Sequence, residues 1–311
     1  MYQGDVIIMR KLKSKSPTLE EVKQEFITDC KCRGLADCTI KAYHYNLTYF
    51  NDYLQEHQIA LDDLSNSTIN SYKIYLMEHT NRNTISINTV LRHVSTYLKW
   101  LHENGYINDY IRVKYVRGQA EPKEIYSDDD IKRLLRKPKI DNCSYAELRT
   151  WAIINVLVST GMRRSSLVNI RLVDINWQDK IIRLTHTKNK QVHFVSMSQS
   201  LEKTLRLWLR YRIENKNDYL FTTQTGEKLM ASSLTNNIYR FNKSRGVDVT
   251  SVHAFRHYFA IKMIENNVDI YTISKLLGHS DLSTTQIYLK SLNQMDYVKN
   301  NSIDVLGRLL K

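Results

Sequence analysis

The chain has 311 residues, which is enough for two domains that each bury a hydrophobic core. Its 42% hydrophobic and 25% charged residues are ordinary for a globular protein. Its longest apolar stretch, residues 151–158, is interrupted by Asn155 and is too short to span a bilayer. The formal net charge of +13 favours a polyanionic partner. The start of the chain lacks the pattern of a secretion signal, so we expect a cytoplasmic protein with no membrane partner.

The first half of the chain is predicted to be helical. Residues 1–17 are polar and basic, and we expect a flexible lead-in. Thr18 with Glu21 three residues later is a capping-box pattern that predicts the start of a helix. Residues 18–107 are therefore predicted to form a small all-helical domain. Apolar residues at helical spacing predict its further helices from about Asp37, from Thr68 to His79 and from Ile87 to a stop at Gly105. Its candidate phosphate contacts are Lys41, Arg82, Arg92, His93 and Lys99.

A second domain is predicted over residues 125–311, after a linker at 108–124 that contains Gly118 and Pro122 and has no clear period. Its predicted elements are a helix after Ser127, an apolar helix over 145–160 ended by Gly161, two strands around a polar turn within 180–197, and helices over about 198–214 and 232–245. Three further helices are predicted after Ser251, Asp269 and Ser283, and Gly278 ends the second of them.

The excess of basic residues is concentrated in the second half. Residues 1–121 carry 15 Lys and Arg against 14 Asp and Glu, whereas residues 122–311 carry 30 against 18. Charge alone does not separate DNA binding from a merely basic domain, because net charge says nothing about chemistry. The chemistry has to come from particular side chains.

No metal or other cofactor is expected. His253 and His257 are four positions apart, as in the zinc helix of metalloproteases, but Ala254 stands where that helix needs its glutamate. No glycine-rich phosphate loop is present, which argues against an ATP-driven machine. We expect reduced thiols, and no disulfide or zinc site, at the four cysteines, Cys30, Cys32, Cys38 and Cys143.

Three cationic or imidazole side chains of the second domain suit the binding of one phosphate. His253 and Arg256 are three positions apart on a predicted helix, so they share a face. Arg163 follows the helix-ending Gly161, and its guanidinium and that of Arg256 can hold both nonbridging oxygens. Spacing alone leaves Arg164 open as an alternative to Arg163.

Three more side chains supply a proton donor, a second imidazole and a nucleophile. Lys188 lies at the tip of the predicted hairpin, where an ammonium can protonate a leaving alkoxide; Lys190 competes for this role and is otherwise a candidate DNA contact. His279 follows a helix-ending glycine on an exposed turn. Tyr288 lies on the next predicted helix and is the candidate nucleophile on phosphorus. Packing explains its rivals better, namely Tyr258, Tyr271 and Tyr297.

Together these residues resemble the motifs of the tyrosine recombinase, or phage-integrase, family. The motifs are TGMRRSSL, the hairpin with Lys188, HAFRH, LLGHS and TTQIY, in the family's order over residues 18–290. The resemblance implies a mainly α fold with a small β-sheet or hairpin in the catalytic domain, and a SAM-like core-binding domain, clamped around double-stranded DNA. It implies that Tyr288 forms a 3′-phosphotyrosine without metal or ATP. The activating residues implied are Arg163, Lys188, His253, Arg256 and His279.

The sequence departs from the family pattern at three places. Ser166 stands where an acidic residue usually follows the first arginine by three positions, which removes an expected support of the active site. The glycine-rich turn around the lysine is THTKNKQ here. The Asn-Pro that is common near the domain junction is Asn108-Asp109, so the domain boundary is soft.

The resemblance also implies a homotetramer on synapsed DNA, with an accessory or partner recombinase as a further candidate partner. The amphipathic tail 291–311 either packs internally or docks on a neighbouring protomer. Helices that start near residue 18 favour a simple recombinase of the Xer or transposon type. Two alternatives stay open: a type IB topoisomerase-like nicking-closing enzyme, and a catalytically silent DNA-binding regulator of the same fold. A metal-dependent nuclease lacks a convincing carboxylate cluster.

Overall fold

The computed structural model describes most of both predicted domains. The chain divides into two compact units, Met1–Glu121 and Pro122–Lys311. The described residues are 17–118, 125–185, 192–214, 216–279, 281–282 and 285–286. Outside them lie Lys188, Lys190, Tyr288, Tyr297, the lead-in 1–16, the start of the helix predicted after Ser283, and the tail 291–311. In the described ranges, no helix is both long and apolar enough to cross a bilayer.

Over its described residues, 17–118, the first unit has helices as its only regular secondary structure, and its four predicted helices are confirmed. They are α1 Leu19–Cys32, α2 Asp37–Glu56, α3 Asn66–His79 and α4 Thr84–Glu103. The capping box of Thr18 and Glu21 is formed at the start of α1. Helix α3 begins earlier than predicted, because the Ser65 side chain caps it by accepting a hydrogen bond from the Thr68 amide.

The core of this unit continues past α4 into an extended segment. Ile111 and Val113 are buried, and they alternate with exposed basic residues. The side chain of Asn88 on α4 fixes the segment, since its Nδ2 donates to Val116 O at 2.9 Å and its Oδ1 accepts from Val116 N at 2.8 Å. These two bonds pair both backbone polar groups of Val116 and attach the segment to α4.

Over the residues that the structure describes, the second unit is mainly α, with one small sheet. Its helices are α5 Asp128–Leu135, α6 Tyr145–Thr160, α7 Arg164–Leu167, α8 Gln199–Leu209, α9 Ala231–Ser244, α10 Val252–Glu265 and α11 Ile270–Leu277. Helix α6 is buried on almost all sides and packs against α8, α9 and α10. Its position explains why its sequence is apolar without a polar face.

The sheet is antiparallel, with the order β1-β2-β3. The predicted hairpin corresponds to β2 Ile181–Leu184 and β3 His193–Ser196, paired with Leu184 opposite His193. The short β1, Ile175–Asn176, was not predicted, because two residues are too few to show a strand period. Ile182, Leu184 and Val195 are buried, so one face of the sheet packs on the core.

Gly161 joins the end of α6 to the last two helices. It is the C-cap of α6, with a left-handed φ of 59°, and its amide donates to Leu157 O. A Cβ at this position would lie 2.6 Å from Phe259 Cδ1 of α10 and 2.9 Å from Leu277 Cδ2 of α11. Both the backbone angle and the close approach therefore require glycine.

We expect Gly161→Ala to lower the free energy of unfolding by about 2 kcal/mol or more, because a left-handed penalty adds to overpacking. Chemical denaturation measures it. Gly246→Ala is the matched control, since Gly246 has a φ of 67° but its added Cβ would meet nothing closer than Arg133 Nη1 at 3.8 Å. We expect this control to lose only about 1 kcal/mol. Equal losses would mean that α10 and α11 yield to the extra methyl group.

Candidate active site

Three successive carbonyls at the C-terminal end of α11 each accept a hydrogen bond from a different element. The last carbonyls of a helix lack partners within it and carry the negative end of its dipole, so they attract donors and cations. We call Leu276–Gly278 the capped turn. The three bonds are His193 Nε2 to Leu276 O at 2.9 Å, Arg256 Nη2 to Leu277 O at 2.8 Å, and Arg163 Nη1 to Gly278 O at 3.1 Å.

Arg256 connects the ends of two helices. Its side chain projects from α10 and the residue is only 2% exposed. Besides its bond to Leu277 O, its Nη1 donates to Gly161 O at 3.0 Å. A buried guanidinium needs such acceptors to offset the loss of water, and carbonyls provide them without a full opposite charge. The position of Arg256 is thus set by the two glycine-ended helices α6 and α11.

A cavity of about 150 Å³ lies beside the capped turn. Its polar lining comes from Arg163, Ser166, His193, Arg256, Lys275 and His279. No carboxylate is found among the described residues that line it. Guanidinium and imidazole donors around a space of this size suit a tetrahedral oxyanion, with the fork of each arginine able to contact one pair of oxygens.

His253 lies one turn before Arg256 on α10, as predicted from their spacing, and it is exposed. Its ring meets that of the buried His257 edge to face, with centroids 4.9 Å apart. The described residues contain no group of three or more side chains able to hold a metal ion. Among the described residues, His253 and His257 therefore form an aromatic contact with each other and do not belong to a metal-binding group.

His279 is held by a buried threonine. Its Nδ1 lies 2.7 Å from Thr285 Oγ1, and Thr285 is 0% exposed. Burial first, and then the positive charges of Arg256, Arg163 and His253, lower the pKa of His279 from 6.5 to about 4. The ring is therefore neutral at pH 7, with one nitrogen protonated and the other an acceptor.

Two of the six predicted side chains, Lys188 and Tyr288, lie outside the described residues. The chain enters the segment that carries Lys188 from β2 and leaves it into β3, and both Leu184 and His193 line the cavity. Ser166, at the position where an acidic residue was expected, is buried on α7 and also lines the cavity.

Comparison with known proteins places the chain in a family. Residues 125–295 match the profile described as Phage integrase family, and residues 14–127 match the Phage integrase SAM-like domain. The chain belongs to the phage integrase family. The resemblance predicted from the sequence motifs is thereby confirmed.

The chain is similar to curated tyrosine recombinases over most of its length. It is 30% identical to tyrosine recombinase XerD of Pseudomonas putida over 270 residues, which covers 82% of this chain and 87% of the relative. It is 26% identical to tyrosine recombinase XerC of Staphylococcus epidermidis over 289 residues, with coverage of 89% and 94%.

A solved structure shares the fold. XerH site-specific recombinase, bound to palindromic difH substrate, superposes with a TM-score of 0.72 at 19% identity, covering 90% of this chain and 84% of that one. At this identity the likeness concerns the fold alone. It confirms the predicted fold class, a mainly α, two-domain integrase with a small sheet in the second domain.

Two tyrosines that compete with Tyr288 for the role of nucleophile, Tyr258 and Tyr271, lie among the described residues. The Tyr258 hydroxyl donates to Asp128 Oδ1 at 3.0 Å, and burial together with this bond raises the pKa of Tyr258 to about 12. A raised pKa opposes the ionisation that a nucleophile needs. Tyr271 is 58% exposed on α11, with Lys275 Nζ 5.2 Å from its ring centroid.

The predicted DNA contacts of the helical unit differ in their surroundings. Lys41 is exposed. Arg82 lies over the Tyr49 ring at 4.9 Å, Arg92 bonds within α4, and Lys99 pairs with Glu103 at 3.6 Å. His93 is half-buried: its Nδ1 lies 2.7 Å from Asn46 Nδ2, and burial lowers its pKa. Lys190 lies outside the described residues.

Two residues of the site, His193 and Thr285, carry no local sequence signal of a site role. A histidine within an alternating strand pattern is not distinctive, and its partner, Leu276 O, is 83 positions away. Thr285 belongs to the TTQIY motif, which drew attention only to its tyrosine. Each residue becomes visible only when the fold brings its partner within hydrogen-bond distance.

The neutral His279 predicts a pH dependence of stability. Unfolded histidine protonates near pH 6.5, whereas the native ring stays neutral to about pH 4, so the unfolded state binds more protons between these values. We expect the free energy of unfolding to fall as the pH is lowered through this window. The slope should stay below roughly 1.4 kcal/mol per pH unit, because the ring is only partly buried and solvent screens its charge.

His279→Gln is the comparison variant, because it cannot titrate in this range. Urea denaturation of both proteins at several pH values measures the difference. The wild-type protein should lose stability relative to the variant as the pH falls. Parallel curves for the two proteins would contradict a neutral His279.

Proposed function

We propose that this chain is a site-specific DNA recombinase that cuts and rejoins double-stranded DNA through a covalent 3′-phosphotyrosine on Tyr288, in the cytoplasm. DNA integration, excision or resolution are the roles that such chemistry serves. One observation carries the proposal: Arg163, Arg256 and His279 line one cavity beside the capped turn, and His253 acts electrostatically on the same histidine. These are four of the six side chains that the reaction requires.

In this proposal the scissile phosphate occupies the cavity. A guanidinium has five N–H donors, so Arg163 and Arg256 can keep their bonds to the capped turn and also bind the nonbridging oxygens. His253 and the protonated nitrogen of His279 add two more donors. Donors placed before the reaction stabilise the charge of the pentacoordinate phosphorus by roughly a few kcal/mol each.

The covalent step exchanges one phosphoester for another. Tyr288 Oη, as the phenolate that the surrounding cations stabilise, attacks phosphorus and forms the P–O bond of the phosphotyrosine. The bond from phosphorus to the 5′-oxygen breaks, and Lys188 gives that oxygen a proton. A 5′-hydroxyl from another duplex then gives its proton back to Lys188 and attacks phosphorus, which breaks the phosphotyrosine bond and releases Tyr288 as the phenolate. The bond energy is kept throughout, so the cycle needs neither metal nor ATP.

DNA contacts from the helical unit complete the proposal. Lys41, Arg82, Arg92, His93 and Lys99 are the candidates from sequence, with Lys190 in the second unit. The extended segment after α4 adds Arg112 and Lys114, both exposed between buried apolar neighbours. Cations that alternate with buried anchors on a fixed backbone suit phosphate contacts, because the anchors hold the backbone in place.

Two alternatives with the same fold are distinguished by assay. A nicking-closing enzyme would relax supercoiled DNA without joining two sites. A silent regulator would bind DNA and form no covalent adduct; Ser166 in place of an acidic residue gives it some support. Adduct formation in EDTA would separate either tyrosine enzyme from a metal-dependent nuclease.

Replacement of the nucleophile gives the direct test. We expect Tyr288→Phe to abolish covalent protein–DNA adducts on nicked suicide substrates built from DNA that flanks the gene, while DNA affinity changes by less than about threefold. Tyr271→Phe is the control, since this exposed tyrosine lies on α11 and should leave adduct yield unchanged. Adducts that persist in Tyr288→Phe would refute the assignment.

The tail gives a separate prediction about assembly. We propose that the protein acts as a tetramer on synapsed DNA and that the amphipathic tail docks on a neighbouring protomer. Deletion of residues 300–311 should then leave DNA binding intact and reduce recombination between two sites by tenfold or more, as a two-plasmid assay measures. Unchanged recombination would reject docking and leave internal packing as the role of the tail.

A further inference from the structure

Of the three donors described at the capped turn, His193 is the one that no sequence motif predicts. It lies at the start of β3, half-buried, and its Nε2 is 2.9 Å from Leu276 O. A carbonyl oxygen can only accept, so Nε2 of this ring carries a proton and donates. The ring also lies against Gly278, where an added Cβ would be 3.5 Å from its carbon atoms. His193 therefore holds the capped turn by one hydrogen bond and one packed face.

The bond of His193 affects the acceptors of both arginines. Leu276 O, which accepts from His193, is followed directly in the chain by the carbonyls that accept from Arg256 and Arg163. A shift of the turn by even a fraction of an ångström would move all three acceptors together, because they share one stretch of backbone. Near-attack geometry is sensitive to such displacements.

The same residue belongs to the hairpin that carries Lys188. His193 is opposite Leu184 in the antiparallel register, so it closes the described end of the hairpin. Its bond to Leu276 O is a fixed point between the strands that lead to the proposed proton donor and the turn that holds the guanidinium pair.

We infer that His193 is a positioning residue for strand cleavage: by donating to Leu276 O it sets the capped turn, and with it Arg163 and Arg256, relative to the hairpin of Lys188. This inference rests on the proposed function. His193 acts through the backbone of residues 276–278 and does not itself need to contact the phosphate. Replacing His193 should therefore change the rate of cleavage more than the affinity for DNA.

A matched pair of variants isolates the hydrogen bond. Gln has an amide that can donate from nearly the same place as Nε2, whereas Met has the same length and no donor. In single-turnover cleavage of the suicide substrates by the full chain, His193→Met should slow adduct formation about tenfold, the equivalent of one hydrogen bond. His193→Gln should recover most of the rate, and DNA affinity should change less than about twofold in both.

Two further variants guard against an effect on folding. In His193→Asn the side chain is too short for its amide to reach Leu276 O, so this variant should cleave as slowly as His193→Met. Agreement between the two would show that the slow rate does not come from poor packing of the Met side chain. His57→Met, in the first unit, removes another histidine that bonds a backbone carbonyl, at 2.9 Å from Tyr53 O, and should leave the rate unchanged. A Gln variant no faster than the Met and Asn variants would overturn the inference.

A double-mutant cycle tests the route through the arginine. If His193 acts by placing Gly278 O and Arg163, then His193→Met should cost clearly less in an Arg163→Lys background than in the wild type. Full additivity would overturn this route. Side-chain ¹⁵N NMR of the Arg256 guanidinium gives a readout without DNA. We expect its N–H protons to exchange slowly with water in the wild type and in His193→Gln, and faster in His193→Met.

These outcomes are separable from the proposed function. If the wild-type protein forms no adduct on any substrate, the proposed function fails. The NMR comparison still decides whether His193 holds the arginine pair. If wild type forms adducts and all three His193 variants match it, only the positioning role fails.

Discussion

The end of helix α11 is the constraint on which the site depends. Three carbonyls in a row have no partners within their own helix, and they are satisfied by side chains from β3, α7's N-cap and α10. The usual requirement that buried polar groups be paired thus serves a second purpose, because the donors that meet it include two guanidinium groups. The bonds that stabilise the turn therefore also hold Arg163 and Arg256 in place.

Gly161 is where this arrangement connects to the core. Its carbonyl receives Arg256, its lack of a side chain lets Phe259 and Leu277 approach, and its left-handed angle turns the chain toward Arg163. A single residue therefore fixes the spacing of α6, α10 and α11, which come from distant parts of the sequence. The core of the second unit and its site are therefore connected, since the residue that lets α10 and α11 approach α6 also provides an acceptor for Arg256.

Local signals in the sequence account for much of the fold. Capping residues such as Ser127 and Asp269 and the helix-ending Gly161 and Gly278 act within a few positions, so their effects could be predicted directly. The stripe of α4 was equally clear, because its periodicity is one continuous face. Strand β1 and the role of Asn88 could not be predicted, since both depend on partners placed by tertiary folding.

The site was predictable as a set of residue types but not as a set of contacts. Arg163, His253, Arg256 and His279 could be named from motif order. That both arginines are held by main-chain carbonyls could not be, because no pattern of side chains encodes which helix end will face them. The neutral state of His279 depends likewise on burial and on neighbours up to more than a hundred positions away in sequence, which only the fold assembles.

The choice of acceptors has an electrostatic consequence. A carboxylate would orient a guanidinium and also neutralise much of its charge, whereas a carbonyl dipole orients it and leaves the unit charge in place. Arg163 donates to one main-chain carbonyl and Arg256 to two, and Ser166 puts a hydroxyl where the family usually has an acid. Both guanidinium groups line the cavity, which is where the proposed function places the scissile phosphate. Burial, and then the positive charges of Arg256, Arg163 and His253, keep His279 neutral. A phosphate bound in the cavity, as proposed, would add a negative charge that favours the protonated ring.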